Sequence, residues 1–151
     1  MGLDQYLTAQ RYASSFNDRD AELVEAMSKL PIPQGIGRAK TIKADVMYWR
    51  KANAIHQWFV DNVQDGEDDC REYWLSIDKL KELLAVCKEV YADHSKAEDL
   101  LPTQEGFFFG TTDYDEWYYE NLKETIDRLE ELTNLPEEDL YGWHFYYQSS
   151  W

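Results

Sequence analysis

The sequence predicts a single α+β domain, residues 1–151, in which an antiparallel or mixed sheet packs against about four helices. Some segments alternate apolar with polar residues, as strands do, and others repeat apolar residues at intervals of three and four, as helices do. Eleven Tyr, six Trp and six Phe exclude a disordered acidic chain, which would be poor in aromatic residues. A domain of this length buries about two thirds of the surface that its unfolded chain exposes.

The first half of the chain contains two predicted strands and two predicted helices. Residues 3–14 hold aromatic and β-tolerant residues without a helical stripe, which predicts a strand. A short helix is predicted over 21–30, because an aspartate precedes it and two prolines follow it. Alternation predicts a half-buried strand over 42–48, with Tyr48 and Trp49 on opposite sides of the chain. Apolar residues at helical spacing then predict a helix over 51–63.

The second half adds further strands and two longer helices. Residues 73–77 alternate as a strand, and 79–94 continue as a helix. The glycine-bounded apolar segment 106–110 predicts a buried strand or the floor of a pocket. A capping box, either Thr112 with Asp115 or Asp113 with Glu116, starts the clearest helix of the chain, 114–132. The aromatic tail, 140–151, predicts a final strand that pairs with the N-terminal one.

A basic and aromatic segment, residues 38–58, interrupts an otherwise acidic chain. It holds five of the fifteen Lys and Arg residues and a single acid, Asp45, so its net charge is +4. Residues 59–151 carry 24 acids and seven bases, and the net charge of the whole chain is −15. A cationic cluster that folding does not require is a candidate for contact with a ligand or a partner.

Five residues of this segment form the candidate ligand site. On a helical wheel, Asn53 and His56 lie beside the apolar stripe, and Arg50 and Lys51 at the strand-to-helix junction share that rim. An anion pocket would combine the guanidinium group of Arg50, the amide of Asn53 and the ring of His56, with Trp49 or Trp58 for stacking. The alternative is purely structural: a histidine at the core edge bonded to the backbone and an arginine paired with a carboxylate. That alternative is favoured, because most polar groups at a helix rim are satisfied within the structure.

The acidic turn 61–72 partly resembles a calcium-binding loop. Four of its residues match positions of that loop, namely Asp61, Asp65, Gly66 and Glu72. Val63 and Asp68 break the pattern, so a solvated acidic turn is the better interpretation. Asp113 and Asp115 are close enough for Mg²⁺, but their place at a helix start explains them through capping. The sequence therefore names no metal ligand, no cofactor and no catalytic residue, and it lacks the common catalytic motifs.

The cysteines and the absence of long apolar runs favour a cytoplasmic protein. Cys70 and Cys87 have no partner at the spacing of a zinc ribbon or a redox motif. Cys87 lies in the apolar register of the helix 79–94, which predicts a small buried hydrophobic residue and a free thiol in a reducing compartment. No apolar run approaches the roughly 20 residues of a membrane span, and the N-terminus lacks the features of a signal peptide.

The acidic remainder allows two interpretations. The carboxylates on the outer faces of helices 79–94 and 114–132 either keep the protein soluble or present a phosphate-like array to a basic partner. Solubility is favoured, because many acids have a base nearby, as Glu124 has Arg128 and Lys79 has Glu82. Direct binding of nucleic acid by the whole surface is disfavoured by the net charge of −15, and only the basic segment 38–58 could support it.

Three segments of the chain carry a resemblance to a known family. They are the opening MGLDQYL (1–7), the central YWRKANAIHQWF (48–59) and the later LPTQEGFFFG (101–110). In their residues and their order along the chain, they resemble a family of small bacteriophage and prophage proteins that has no established activity. The resemblance implies expression in the cytosol of a bacterial host and a host-directed or phage-accessory role, and it assigns no site residue.

Two functions from different classes follow. The first is a non-catalytic acidic interaction protein of phage type, which binds or inhibits a host defence or nucleic-acid-handling protein; a contiguous patch of exposed Trp and Tyr would mark it. The second is a small-ligand or nucleotide-binding or nucleotide-processing protein that uses Arg50, Asn53 and His56, with Phe107–Phe109 or Trp49 as an apolar wall. The first is favoured because no catalytic set can be named, and an aromatic tail ending at Trp151 also suits a homo-oligomer.

Overall fold

A computed structural model describes residues 2–151 as an α+β domain. It contains four strands and six α-helices, of which four have eight residues or more. Short 3-10 turns, Asp18–Asp20 and His94–Lys96, precede the first and the fourth helix. In chain order the elements are β1 Asp4–Tyr12, α1 Ala21–Ser28, β2 Thr41–Arg50, α2 Asn53–Asn62, β3 Tyr73–Leu75, α3 Ile77–Ala92, α4 Ala97–Leu100, α5 Glu116–Thr133, α6 Glu137–Leu140 and β4 Trp143–Ser150.

The four strands form one antiparallel sheet in the order β2-β1-β4-β3. The first and last strands lie together at its centre, where Asp4 is opposite Ser150 and Arg11 is opposite Trp143. The predicted pairing of the two termini is therefore confirmed, and the sheet is antiparallel rather than mixed. β3 has only three residues and forms one edge, while the ten-residue β2 forms the other.

The long helices form a second layer on one face of the sheet. Leu7, Phe145 and Tyr147 on that face are buried in the core together with the apolar sides of α3 and α5. α3 begins at a cap that its sequence predicts, since Ser76 accepts a hydrogen bond from the amide of Lys79. α5 begins two or three residues later than its predicted capping boxes indicate, because its cap is Asp115, which accepts from the amide of Tyr118, and not Thr112 or Asp113. Burial of their apolar stripes accounts for the packing of α3 against α5.

A β-bulge in β2 decides which of its side chains face the core. Leu7 is opposite Met47 whereas Thr8 is opposite Asp45, so Val46 is an extra residue in the strand. The carbonyl oxygen of Val46 accepts a 2.7 Å hydrogen bond from Nε of Arg128 on α5, which covers this part of the sheet edge.

Two predictions about local structure are wrong. Residues 106–110 form a turn rather than the predicted strand, because Phe108 and Gly110 have positive φ angles of 63° and 89°, outside the extended region. The other predicted alternative, part of a pocket, agrees with the place of Gly106, Phe107 and Phe109 in the lining of an open cleft. Phe107 is exposed there, and only Phe109 of the three phenylalanines is buried. His56 and Asn53 are also not at a helix rim, because α2 is buried on nearly all sides.

None of the described helices combines the length and apolar character that spanning a bilayer requires.

Candidate functional site

Trp49 and Arg50, the last two residues of β2, point to opposite sides of the sheet. Trp49 is buried, and its Nε1 donates a 2.8 Å hydrogen bond to Oγ1 of Thr125 on α5. Its ring contacts Phe59 edge-on. Trp49 therefore belongs to the core and offers no free ring face to a ligand, whereas Arg50 is exposed at the end of the strand, opposite Asp4.

Lys51 turns the chain sharply between β2 and α2. Its φ angle is 54°, in the left-handed region, and its amide donates a 2.7 Å hydrogen bond to the carbonyl of Leu3. The side chain packs against Gly110. A Cβ atom added to Gly110 would lie only 3.1 Å from Cβ of Lys51. Gly110 thus allows the loop before α5 to approach this turn closely.

Asn53 binds the backbone of that same loop. Its Nδ2 donates to the carbonyl oxygens of Phe109 and Thr111, at 3.1 and 2.9 Å, and its Oδ1 accepts from the amide of Gln104 at 3.0 Å. Only 4% of the residue is exposed. The side chain thus holds the 104–111 loop against the start of α2, and its polar atoms are used within the protein.

His56 lies between a tyrosine and an aspartate and has no exposed surface. Its Nδ1 is 2.7 Å from the hydroxyl oxygen of Tyr147, and its Nε2 is 3.0 Å from Oδ1 of Asp68. Burial lowers the pKa of His56 below its usual value, and the neighbouring Asp68 opposes that shift only in part. Burial also raises the pKa of Tyr147 far above its usual value, so its hydroxyl stays protonated.

These partners indicate the tautomer of the His56 ring. The protonated hydroxyl of Tyr147 donates to Nδ1, which leaves the ring proton on Nε2, facing the carboxylate of Asp68. That second contact is close but lacks the alignment of a regular hydrogen bond. Asp68 also accepts a 3.0 Å hydrogen bond from Nε1 of Trp151, so it links the buried ring to the C-terminus.

The five predicted site residues do not share one cavity. Lys51 and Asn53 line a small cavity at the start of α2. His56 lies behind Asp68, which lines a separate open cleft beside Trp151. Arg50 is at the exposed end of β2, and Trp49 is in the core.

A stripe of aromatic side chains crosses the face of the sheet that the helices leave uncovered. Tyr48 and Tyr6 are opposite each other on β2 and β1, with ring centroids 5.5 Å apart. Tyr146 and Trp74 are opposite each other on β4 and β3. Because Tyr146 is opposite Thr8, two positions from Tyr6, the two pairs are diagonal neighbours. We call these four residues the aromatic stripe.

The aromatic stripe is open to solvent and edged by charge. Tyr6, Tyr48 and Trp74 are 40%, 51% and 57% exposed, and Tyr146 is half-buried. Asp4 accepts a hydrogen bond from the Tyr48 hydroxyl and raises the pKa of that group. On the same face, Lys43 forms an ion pair with Glu72 at 3.4 Å. Large aromatic groups with a polar border are typical of a surface that binds another protein.

Ion pairs occupy many of the charges on the helical layer. Lys79 pairs with Glu82 as the sequence predicts, at 3.0 Å. Arg128 pairs with Glu131 at 2.8 Å, and not with Glu124, because its Nε is directed to the carbonyl of Val46. Lys88 on α3 reaches Glu130 on α5. These pairs reduce the electrostatic field of the acidic faces.

Sequence reasoning named a patch of exposed Trp and Tyr as a marker but did not identify the residues of the aromatic stripe. Tyr6, Tyr146 and Trp74 each occupy a solvent-facing position of an alternating strand. The alternation of residues along each strand therefore indicated that these three side chains face solvent. For Tyr48 the signal was hidden by the bulge at Val46, which no spacing in the sequence indicates.

Two acidic residues of the turn 61–72 form separate contacts within the protein. Asp61 accepts a 2.8 Å hydrogen bond from Gln57, and Glu72 lies across the sheet beside Lys43. Within residues 2–151, no three or more His, Cys, Asp or Glu side chains are grouped so that they could hold a metal ion.

Comparisons with models of protein families, with curated proteins and with solved structures found no match for the chain.

Proposed function

We propose that this protein is a non-catalytic, acidic interaction protein that binds another protein through the aromatic stripe. The observation that carries the proposal is the exposure of Tyr6, Tyr48 and Trp74 on the same uncovered face of the sheet. Tyr and Trp dominate the energetic centres of protein interfaces because they bury a large area at a small cost in side-chain entropy.

The charge of the chain favours a basic partner. Its net charge is −15. Near the aromatic stripe itself the charges are mixed, since Asp4, Asp45 and Glu72 lie on the same face of the sheet as Lys43 and Arg50, so the preference comes from the charge of the whole chain. A partner with an apolar patch and a basic border would complement both features. The resemblance to bacteriophage proteins supports a partner in the bacterial cytosol, either a host defence or nucleic-acid-handling protein or another phage protein.

The small-ligand alternative built on Arg50, Asn53 and His56 has less support. Asn53 uses its amide to hold the 104–111 loop, and His56 is enclosed by Tyr147 and Asp68. A ligand at these groups would have to replace hydrogen bonds that the protein already makes.

The test is the isolation of the tagged protein from bacterial cytosol, followed by mass spectrometry of the intact native complex. We expect a protein partner in fixed stoichiometry that dissociates as the salt concentration rises. The double variant Tyr48→Ser, Trp74→Ser removes two exposed aromatic groups of the stripe. It should lose the partner while keeping the circular dichroism spectrum and the unfolding midpoint close to those of the parent protein.

The matched control is the double variant Phe16→Ser, Tyr91→Ser, which removes two exposed aromatic groups outside the sheet. It should retain the partner. Equal loss in both variants would indicate nonspecific adhesion and overturn the proposal, as would retention in both. If the native mass is that of a dimer that only the stripe variant dissociates, the partner is a second copy of this chain.

A further inference from the structure

An open cleft lies beside Asp68 and Trp151. Its lining comes from α2, from the turn that contains Gly66 and Asp68, from the loop 104–109 and from Trp151. The cleft has a volume of about 350 Å³, which falls in the range of about 300–1,000 Å³ that is typical of ligand sites. Because it is open to solvent, it can enclose the end of a ligand while the remainder of that ligand stays outside.

Aromatic rings form two adjoining walls of the cleft. The rings of Phe109 and Trp151 meet at an angle of 70°, with centroids 6.2 Å apart. Nε1 of Trp151 donates a 3.0 Å hydrogen bond to Oδ1 of Asp68, which holds the indole in place although the residue is 51% exposed. Phe107 also lines the cleft and is 80% exposed. Exposed aromatic faces attract cations, and the face of Trp does so most strongly.

Within residues 2–151, the carboxylate of Asp68 contacts neutral donors only. One is the indole of Trp151, and the other is Nε2 of His56, 3.0 Å from the same oxygen, Oδ1. Burial lowers the pKa of His56, so its ring is neutral near pH 7 and leaves the charge of Asp68 unbalanced. The buried Nε2 atom also forms no regular hydrogen bond. Because both contacts use Oδ1, Oδ2 is the oxygen that can accept from a ligand.

The other charges of the cleft are negative as well. Glu105 adds a second carboxylate to the lining and forms no ion pair with any residue from 2 to 151. No Lys or Arg is among the described residues that line the cleft. Arg71, the base of the neighbouring turn, pairs with Glu67 and Asp69 instead. Two carboxylates beside aromatic faces complement a cation that also donates hydrogen bonds.

We infer that this cleft binds the guanidinium group of an arginine residue that a partner protein presents. The planar group stacks on the indole of Trp151 and donates, in its own plane, to Oδ2 of Asp68 and to Glu105. An ammonium group is more strongly hydrated and lacks the flat face that stacks. The inference rests on the proposed function, because the arginine belongs to the basic partner of the aromatic stripe, but the guanidinium site can be tested without that partner.

The test is a titration of the isotopically labelled protein with acetyl-arginine amide at about 0.15 M salt, which screens the field of distant charges. The indole N–H resonance of Trp151 is assigned by its disappearance in Trp151→Phe. We expect saturable shifts of this resonance and of the amides of Gly66 and Gly106 at millimolar concentrations of the probe.

Two further probes separate recognition of the guanidinium group from general attraction of cations by a chain of net charge −15. Acetyl-citrulline amide has nearly the same shape and no charge, so it should bind at least about tenfold more weakly. Acetyl-lysine amide has the charge but not the planar group, so it should bind at least about threefold more weakly. Equal binding of the lysine and arginine probes would overturn the inference, and so would the absence of saturable shifts with the arginine probe.

Three variants connect the binding to named groups. Asp68→Asn keeps the size of the side chain and removes its charge, so the affinity for acetyl-arginine amide should fall by about tenfold or more. Glu105→Gln and Phe107→Ala change exposed residues, so each should keep the fold and lower the affinity by about two- to fivefold.

The matched control is Glu137→Gln, which removes an exposed charge of α6 outside the cleft and should leave the affinity unchanged. If Asp68→Asn fails to fold, Glu105→Gln and Phe107→Ala still decide. Affinities in both that equal the affinity of the control would contradict the inference.

Capture of the partner by the tagged protein distinguishes a failure of this inference from a failure of the proposed function. Glu105→Gln should weaken capture, whereas Glu137→Gln should not. A partner that is captured through the aromatic stripe, together with no binding of acetyl-arginine amide, would overturn the arginine site alone. Binding of the probe at the cleft without any captured protein would support the guanidinium site and overturn its assignment to a partner protein.

Discussion

The hydroxyl of Tyr147 lies 2.7 Å from Nδ1 of His56, and neither side chain has exposed surface. This contact joins α2 to β4, the strand at the centre of the sheet beside β1. The Tyr147 ring stacks on Phe59 with ring centroids 3.8 Å apart, so the pair is enclosed by apolar groups. In such surroundings a hydrogen bond is strong, and a polar atom that loses its partner is costly.

Tyr147→Phe should therefore destabilise the protein by about 1–3 kcal/mol, because the buried Nδ1 of His56 loses its donor while the ring packing stays. The measurement is the free energy of unfolding from urea denaturation. Tyr146→Phe, next in sequence and on the opposite face of the sheet, is the matched control and should change the free energy by less than about 0.5 kcal/mol. Equal effects of the two substitutions would show that the hydrogen bond contributes nothing specific.

His56 should make the stability depend on pH. Its pKa in the folded protein is lowered from 6.5, chiefly by burial. Above pH 6.5 the ring is neutral in both states, but below that value the unfolded chain binds a proton that the folded protein resists. The free energy of unfolding should therefore fall as the pH drops from 6.5 through the lowered pKa of the folded state.

The check is a series of urea denaturations between neutral pH and pH 5 on the parent protein and on His56→Gln. The difference in slope between the two proteins isolates the contribution of His56 from that of the carboxylates. Asp20 and Asp93 have pKa values lowered by their hydrogen bonds and stay ionised over this range. Identical slopes would mean that His56 titrates alike in both states.

The two cysteines should differ sharply in reactivity. Cys87 is fully buried on α3, and burial raises the pKa of its thiol to about 12, whereas Cys70 is partly exposed. Because the thiolate is the reactive form, iodoacetamide should modify Cys70 in native buffer and leave Cys87 untouched until the protein unfolds. Peptide mapping with and without urea measures this, and comparable native rates at the two sites would contradict the burial of Cys87.

Most of the secondary structure could be predicted from the sequence, because it depends on the local pattern of apolar and polar residues. Residues 79–94 and 114–132 were predicted as helices, and they correspond to Ile77–Ala92 and Glu116–Thr133. Their apolar stripes lie within the segments themselves, and the cap of the first, Ser76, lies just before its segment. Residues 106–110 were mistaken for a strand because apolar composition does not reveal a positive φ angle such as that of Phe108.

The candidate site was harder to predict from the sequence, because its contacts join distant parts of the chain. His56 is 91 positions from Tyr147, and Asn53 is 56 positions from Phe109. A helical wheel compares only neighbours, so it placed Asn53 and His56 at a rim. It could not anticipate the strand and the loop that cover them.

Asn53→Ala should release the loop that leads to α5. The substitution removes the donor to Phe109 and Thr111 and the acceptor for Gln104, all within a buried region. We expect faster hydrogen exchange across 104–111 and a loss of about 1–3 kcal/mol in the free energy of unfolding.

Asn62→Ala is the matched control, since Asn62 lies on the same helix, is exposed and bonds only the carbonyl of Trp58, one turn earlier. That variant should leave exchange in 104–111 unchanged and alter the stability by less than about 0.5 kcal/mol. Mass spectrometry of peptides from the exchanged protein compares the two variants directly. Equal protection of 104–111 in Asn53→Ala and in the parent protein would show that the turn around Gly110, rather than Asn53, holds the loop, because Gly110 packs on Lys51 independently of the amide.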